Sequence, residues 1–266
     1  MKKTILFLIV IFAFAGSGCD VINENERTIE MDEIIPLKKV LLLDFTDQRC
    51  ANCPKAGIEV AGLKENYGEA LVPVTIHASA NNLPLVTEDG NIYDAYFGTN
   101  KTGHPAGIID GKLFPAYETW GGGVLERFNI YPAIDMDLSA TYRADTREIA
   151  VVSKLKALKE MSNAKLLLWI IENNVIAAQL QPDGSYDNNY VHQHIFRAAI
   201  NGTWGEELRL GAEEEKTVEH SCLLPEKWKP NSTSGVNPEN ISLVAFVYNA
   251  TSNEVYDATE IKLVNN

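Results

Sequence analysis

The sequence predicts an α+β chain, an α/β unit over residues 37–132 followed by a β-sandwich over residues 133–266. Three observations carry this. The apolar run Val40-Leu-Leu-Leu-Asp44-Phe45 is followed by Cys50-Ala-Asn-Cys53-Pro54 and then by a stretch, Lys55 to Asn66, that suits a helix. A second branched, apolar run, Leu71-Val-Pro-Val-Thr-Ile-His77, comes straight after it, as in a strand–helix–strand unit. Beyond residue 133 short alternating segments follow one another between Gly, Asn, Asp and Pro turns, interrupted by two short helical or irregular segments around Trp204 and Pro225 to Pro238.

The elements can be justified in order. Residues 1–18 read as an export signal: Lys2 and Lys3 supply the positive end and Ile5 to Phe14 an apolar stretch too short to span a bilayer. Small residues Ala15-Gly-Ser-Gly18 lead into Cys19, the pattern of a lipoprotein signal whose cysteine becomes the lipidated first residue. Ordinary signal cleavage nearby is the alternative. Residues 19–36 are polar and acidic and read as a flexible tether. Residues 37–45 form the first strand and 51–66 the first helix, with Pro54 in its first turn, where no hydrogen bond is lost, and Gly68 as its stop. Residues 78–101 are an irregular insertion with a short helix near Gly90 to Phe97. His104-Pro105 introduces a short strand, Asp110-Gly111 marks a hairpin turn, and 118–130 closes the unit as a helix.

In the second unit the strand candidates are 134–142, 149–156, 165–172, 190–200, 215–221, 241–248 and 255–264. About seven short strands in such a length suit an immunoglobulin-like sandwich. Leu166-Leu-Leu-Trp169-Ile-Ile171 has no polar alternation and is expected in the core.

Composition excludes several functions. With 45% hydrophobic residues the chain has material for packed cores, and a formal net charge of −13 repels nucleic acid and anionic lipid alike. The export signal and the cysteine pair point instead to disulfide-bearing envelope or extracellular proteins as partners, with the membrane reached through a lipid on Cys19. No phosphate-binding glycine loop, nucleophile elbow, zinc-protease helix or defined carboxylate pair is present, and no cofactor is expected.

The chemistry-bearing residues are few. Cys50 and Cys53 make a Cys-x-x-Cys pair at a strand-to-helix junction. Cys50, at the helix N-terminus beside Arg49, is placed for a stabilised thiolate, with Cys53 one turn in as the resolving thiol. Asp44, buried beneath, would take or return the proton of Cys53. The competing reading is a permanent staple on a scaffold used for binding. For His104-Pro105 a cis bond is expected, leaving the His104 backbone free to meet an extended substrate and its imidazole near the thiolate. His192 and His194, two apart on a strand, would share one face; packing beside Phe196 is the stronger reading, since two histidines make a weak metal site. Cys222 is expected to be a buried small hydrophobe.

The strand, helix, strand, insertion, Pro-led strand, hairpin and helix order, with Asp44, Cys50-x-x-Cys53 and His104-Pro105, resembles the thioredoxin-like superfamily over residues 38 to about 131. Arg49 stands where that family usually has tryptophan and Ala51-Asn52 where it has Gly-Pro. The mature chain as a whole resembles the Bacteroidetes outer-membrane lipoproteins typified by a twenty-eight-kilodalton surface antigen. The carriers are Arg49 to Pro54, Tyr190 to Ala199 with Trp204-Gly205, Trp228-Lys-Pro230, and Ile241 to Asn249. That resemblance implies an outer-membrane location and leaves two activities open: thiol–disulfide exchange through Cys50 and Cys53, or non-catalytic adhesion or assembly with the disulfide as a staple.

Overall fold

The structure is a computed structural model that describes residues 38–229 and 235–263. The expected export signal, Cys19 and the tether lie outside the described residues. The architecture is mixed α+β. Strand β1 (Val40–Thr46) leads to α1 (Cys53–Tyr67), β2 (Leu71–His77), α2 (Glu88–Phe97), the single turn α3 (Thr99–Thr102), β3 (Ala106–Ile109), β4 (Lys112–Phe114) and α4 (Trp120–Phe128). Long strands β5 (Ile134–Arg143), β6 (Glu148–Ala157) and β7 (Met161–Glu172) follow. Four two-residue strands come next, β8 (Val175–Ile176), β9 (Gln179–Leu180), β10 (Tyr186–Asp187) and β11 (Val191–His192). The chain ends with β12 (Ile195–Ala199), β13 (Glu206–Leu210), β14 (Glu215–Leu223), β15 (Ile241–Asn249) and β16 (Val255–Lys262).

Residues on both sides of position 132 contribute to one sheet. Its order is β16-β15-β7-β12-β2-β1-β3-β4, with β13 paired to β7. The splice is β12, which runs antiparallel to β7 and parallel to β2, meeting β2 at Ile195 and Thr75. The Thr75 amide also donates to the His194 carbonyl at 2.7 Å. Because β12 reaches β2 only there, Pro73 sits in β2 without breaking a ladder bond to that side. A second sheet, β14-β6-β5, packs over one face of β7 and β15.

The period-2 alternation of β7 decides this layering. Leu166, Leu168 and Ile170 point into the core shared with β5 and β6. Leu167, Trp169 and Ile171 point the other way, into a core shared with β1, β2 and Tyr93 of α2. Both faces are covered, so the run has no polar side. In β1 the same logic sends Leu41, Leu43 and Phe45 to that second core and Val40 and Leu42 to a third one, under α1 and α4.

Two departures from the expected elements have local causes. The expected strand 190–200 is broken: His194 has φ +55° and its amide is held by Asn173 Oδ1 at 2.8 Å, so β11 stops at His192 and β12 begins at Ile195. Strand β13, not expected, is entered through Gly205 (φ +66°), where a Cβ would lie 2.1 Å from the Leu166 carbonyl. The hairpin turn is as expected, with φ +46° at Asp110 and +88° at Gly111, the signs of a type I′ turn.

The Asp110 carboxylate ties the halves together. It is fully buried, accepts from the Leu41 amide at 3.0 Å, and pairs with Lys38 Nζ at 2.6 Å and Arg127 Nε at 3.1 Å. Lys38 Nζ donates onward to the Val255 carbonyl of β16. Replacing Asp110 with Ala strands the buried Lys38 charge and is expected to destabilise the protein by about 3–5 kcal/mol, read as a fall in the urea midpoint. An unchanged midpoint would show that the network carries no stability.

Candidate functional site

The site is built where β1 gives way to α1. Cys50 and Cys53 are joined in a disulfide with a Cα–Cα distance of 5.4 Å. Cys53 opens α1 and is buried, whereas Cys50 sits in the preceding turn and is half-buried. The Cys53 amide donates to Cys50 Sγ at 3.1 Å, because the first helical amides have no partner within the helix. Pro54 occupies the first turn as expected, at no hydrogen-bond cost.

The other expected residues converge on this pair. His104-Pro105 is a cis bond, and the His104 carbonyl oxygen lies 3.4 Å from Cys50 Sγ. The His104 imidazole turns elsewhere: its Nε2 is 2.9 Å from Asp94 Oδ1 of α2, which also accepts from Thr99 Oγ1 at 2.6 Å. It is thus the His104 backbone that meets the sulfur, while the ring anchors the loop. Asp44, at the end of β1, is 4% exposed and its Oδ1 has no hydrogen-bond partner. Burial pushes its carboxyl up to about 7, against the smaller opposing effect of the His104 imidazole.

The second half of the chain supplies groups that sequence reasoning missed. Gln179 is buried over the disulfide turn, and its Nε2 donates to the Cys50 carbonyl at 3.0 Å and the Asp47 carbonyl at 3.3 Å. Gln48 reciprocates by donating to the Ala178 carbonyl at 2.9 Å, and the Leu180 amide donates to the Gln48 carbonyl at 2.9 Å. Between α1 and the β8–β11 pair lies a cleft of about 320 Å³ that reaches Asp44 and Cys53. Its walls include Tyr190, whose hydroxyl lies against Gly57 of α1, and His77 and His192. No local motif signals Gln179, Tyr190 or His192: they are separated by more than a hundred positions from the cysteines they face.

The paired-histidine reading changes. His192 and His194 do not lie on one strand face. The His192 ring packs edge-on against His77, with centroids 5.0 Å apart, and against Tyr190 at 4.7 Å. His194 lies beyond the break at φ +55°. Among the described residues, no group of three or more His, Cys, Asp or Glu side chains is placed to hold a metal ion. Cys222, in β14, is half-buried against the core shared by β5, β6 and β7, and burial pushes its thiol up to about 11. Trp169 is core, as expected; Trp228 instead donates to Glu172 Oε2 at 2.8 Å beneath the Arg197 guanidinium.

A family model described as outer membrane protein Omp28 matches residues 91–266, two-thirds of the sequence. The chain belongs to the Omp28 outer membrane protein family. Among solved structures, HBP35 of Porphyromonas gingivalis is 18% identical, with a TM-score of 0.65 over 85% of this chain and 75% of that one. A protein of Agrobacterium tumefaciens is 14% identical, with a TM-score of 0.51 over 86% and 95% of the two chains. Both likenesses concern the fold. A domain of the outer membrane lipoprotein Omp28 from Porphyromonas gingivalis is 26% identical over 51% of this chain and 91% of that domain, with a TM-score of 0.37. Among proteins of curated function, none matches. No helix among the described residues of this Omp28-family chain is long and apolar enough to cross a membrane.

Asp44 makes a pH-dependent contribution to stability. Its folded value of about 7 lies above the unfolded value of 3.8. The folded protein therefore holds this proton more tightly, and stability falls as pH rises from about 4 to about 7, by roughly 4 kcal/mol in all. Asp44→Asn, neutral throughout, is expected to raise the melting temperature of the oxidised protein at pH 8 and to leave it nearly unchanged at pH 4. Equal shifts at the two pH values would contradict the burial of an ionising Asp44.

Proposed function

We propose that this Omp28-family chain is a thiol–disulfide oxidoreductase of the cell envelope, acting through Cys50 and Cys53. In this reading the first half is a thioredoxin-like unit and the second an immunoglobulin-like sandwich that shares its sheet. A lipid on Cys19 holds the protein at the outer membrane, and its substrates are disulfide-bearing envelope or extracellular proteins. The observation that carries the reading is the position of Cys50: half-buried at the start of α1, with Sγ 3.4 Å from the backbone oxygen that precedes a cis-proline, above a buried carboxyl.

The chemistry follows from that placement. In the reduced protein, the Cys50 thiolate attacks one sulfur of a substrate disulfide, and the other sulfur leaves as a thiolate. The peptide groups of His104 and its neighbours are placed to pair with the extended substrate segment beside the sulfur. Asp44, titrating near neutrality, takes the proton of Cys53, whose thiolate then attacks Cys50 Sγ. The disulfide reforms and the second substrate thiolate is released. Two electrons pass from the protein dithiol to the substrate.

A second reading is favoured by Gln179. Its buried side chain, with the Gln48 exchange, pins the disulfide turn to the second half of the chain. A turn so held suits a staple in a protein whose β-rich half binds a partner.

The test is reduction of a model protein disulfide by the reduced wild-type protein and by Cys50→Ala. The redox reading predicts turnover by the wild type and its loss in Cys50→Ala. A wild-type protein with no activity in any thiol buffer would leave the staple reading in place.

A further inference from the structure

Asp44 lies 4% exposed, so a carboxyl asked to take a proton from Cys53 also needs a way to return it to solvent. The cleft between α1 and the β8–β11 pair supplies one. Its inner end is formed by Asp44 and Cys53, and its outer end by Ile58 and Ala61, exposed on α1, and Val191, exposed on β11. At about 320 Å³ it has room for several waters, each of which occupies roughly 30 Å³ in the liquid.

Buried polar atoms give such a water chain its anchor points. Asp44 Oδ1, both ring nitrogens of His77 and Nε2 of His192 are buried without a hydrogen-bond partner in the protein, and all belong to residues that line this cleft. Unpartnered buried polar atoms are uncommon, and several facing one cleft mark a place where water completes the bonding. Burial holds His192 down to about 4 and His77 well below its usual range, so both rings are neutral at pH 7. A neutral imidazole accepts from water without itself becoming charged. The groups around Asp44 are Cys53 from α1, His77 from β2, His104 from the cis-proline loop, and Tyr190 and His192 from the second half.

We infer that this cleft is the water-filled path by which Asp44 exchanges its proton with solvent, and that Tyr190 and His192 are its positioning residues. The inference rests on the redox reading above and gives the second half of the chain a part in it. In the resolving step Cys53 Sγ–H yields its proton to the Asp44 carboxylate. The Cys53–Cys50 bond forms, the bond from Cys50 to the substrate sulfur breaks, and the departing thiolate takes a proton from bulk solvent. Asp44 then passes its proton to the first water of the cleft. The protein dithiol is oxidised, the substrate disulfide is reduced, and an external thiol reductant restores the dithiol.

The test uses the full chain with Cys222→Ser, reduced, mixed rapidly with 5,5′-dithiobis(2-nitrobenzoic acid) at pH 6, below the Asp44 value of about 7, so that Asp44 starts protonated and must release its proton through the cleft before it can accept that of Cys53. Attack by Cys50 releases one coloured thiolate, and resolution by Cys53 releases the second. Ala61→Phe fills the outer end of the cleft from an exposed helix position, and His192→Ala removes an inner imidazole. Both are expected to leave the first release unchanged and to slow the second by about tenfold or more. Added imidazole is expected to restore the second release in His192→Ala and not in Ala61→Phe. An unchanged first phase also reports that each variant is folded. Two releases in the parent Cys222→Ser chain with an unaltered second phase in both variants overturn the inference and leave the redox reading standing. No second release in that parent chain removes the redox reading, and the inference with it.

Discussion

The run Leu166 to Ile171 has no polar side, and the architecture depends on that. A strand with apolar side chains on both faces has to be covered twice. The β5–β6–β14 sheet covers one face. The other face, with Leu167, Trp169 and Ile171, finds no cover within the second half alone. It is met by β1, β2 and Tyr93 of α2, all from the first half. Strand β15 repeats the pattern, with Leu243 and Ala245 on one side and Val244 and Phe246 on the other. The two halves are thus joined by hydrophobic burial. The single β12–β2 pairing and the buried Asp110 network fix the register of a contact that burial already demands.

That junction explains why the site is assembled from both halves. Once β12 is laid between β7 and β2, the chain between β7 and β12 has nowhere to run except across the C-terminal ends of β1 and β2. This is where the disulfide turn stands. Gln179, Tyr190 and His192 arrive there as a consequence of sheet pairing.

Much of the first half was legible in the sequence because its signals are local. Pro54 and Gly68 bracket α1, Asp110-Gly111 makes a turn with the expected signs of φ, and the cis bond falls at His104-Pro105. Asp44 was legible as a buried acid through the thioredoxin-like resemblance, by its position six residues before Cys50. What was not legible is non-local. Nothing in Tyr190-Val-His-Gln-His194 says that the strand breaks at His194, since the break is imposed by Asn173 and by the parallel pairing with Thr75. The alternation of β7 and β15 was visible as core, but the identity of what covers their second face was not. The same holds for Gln48 and Gln179, polar residues whose burial follows only from each other's company.

The location of Asp44 sets the conditions under which a buried disulfide site is usable. A carboxyl that titrates near neutrality is balanced between taking a proton and returning it, which is the property a resolving step needs. The same burial makes its charged form costly to stability above pH 7. A staple needs no such group, and an apolar residue or Asn of similar size at position 44 would pack there without that cost. The scaffold instead keeps a buried carboxyl, its Oδ1 unpartnered, at the end of a cleft shared with Cys53, His77 and His192. A buried ionisable group beside a disulfide is the kind of perturbed carboxyl on which the proposed dithiol chemistry would draw.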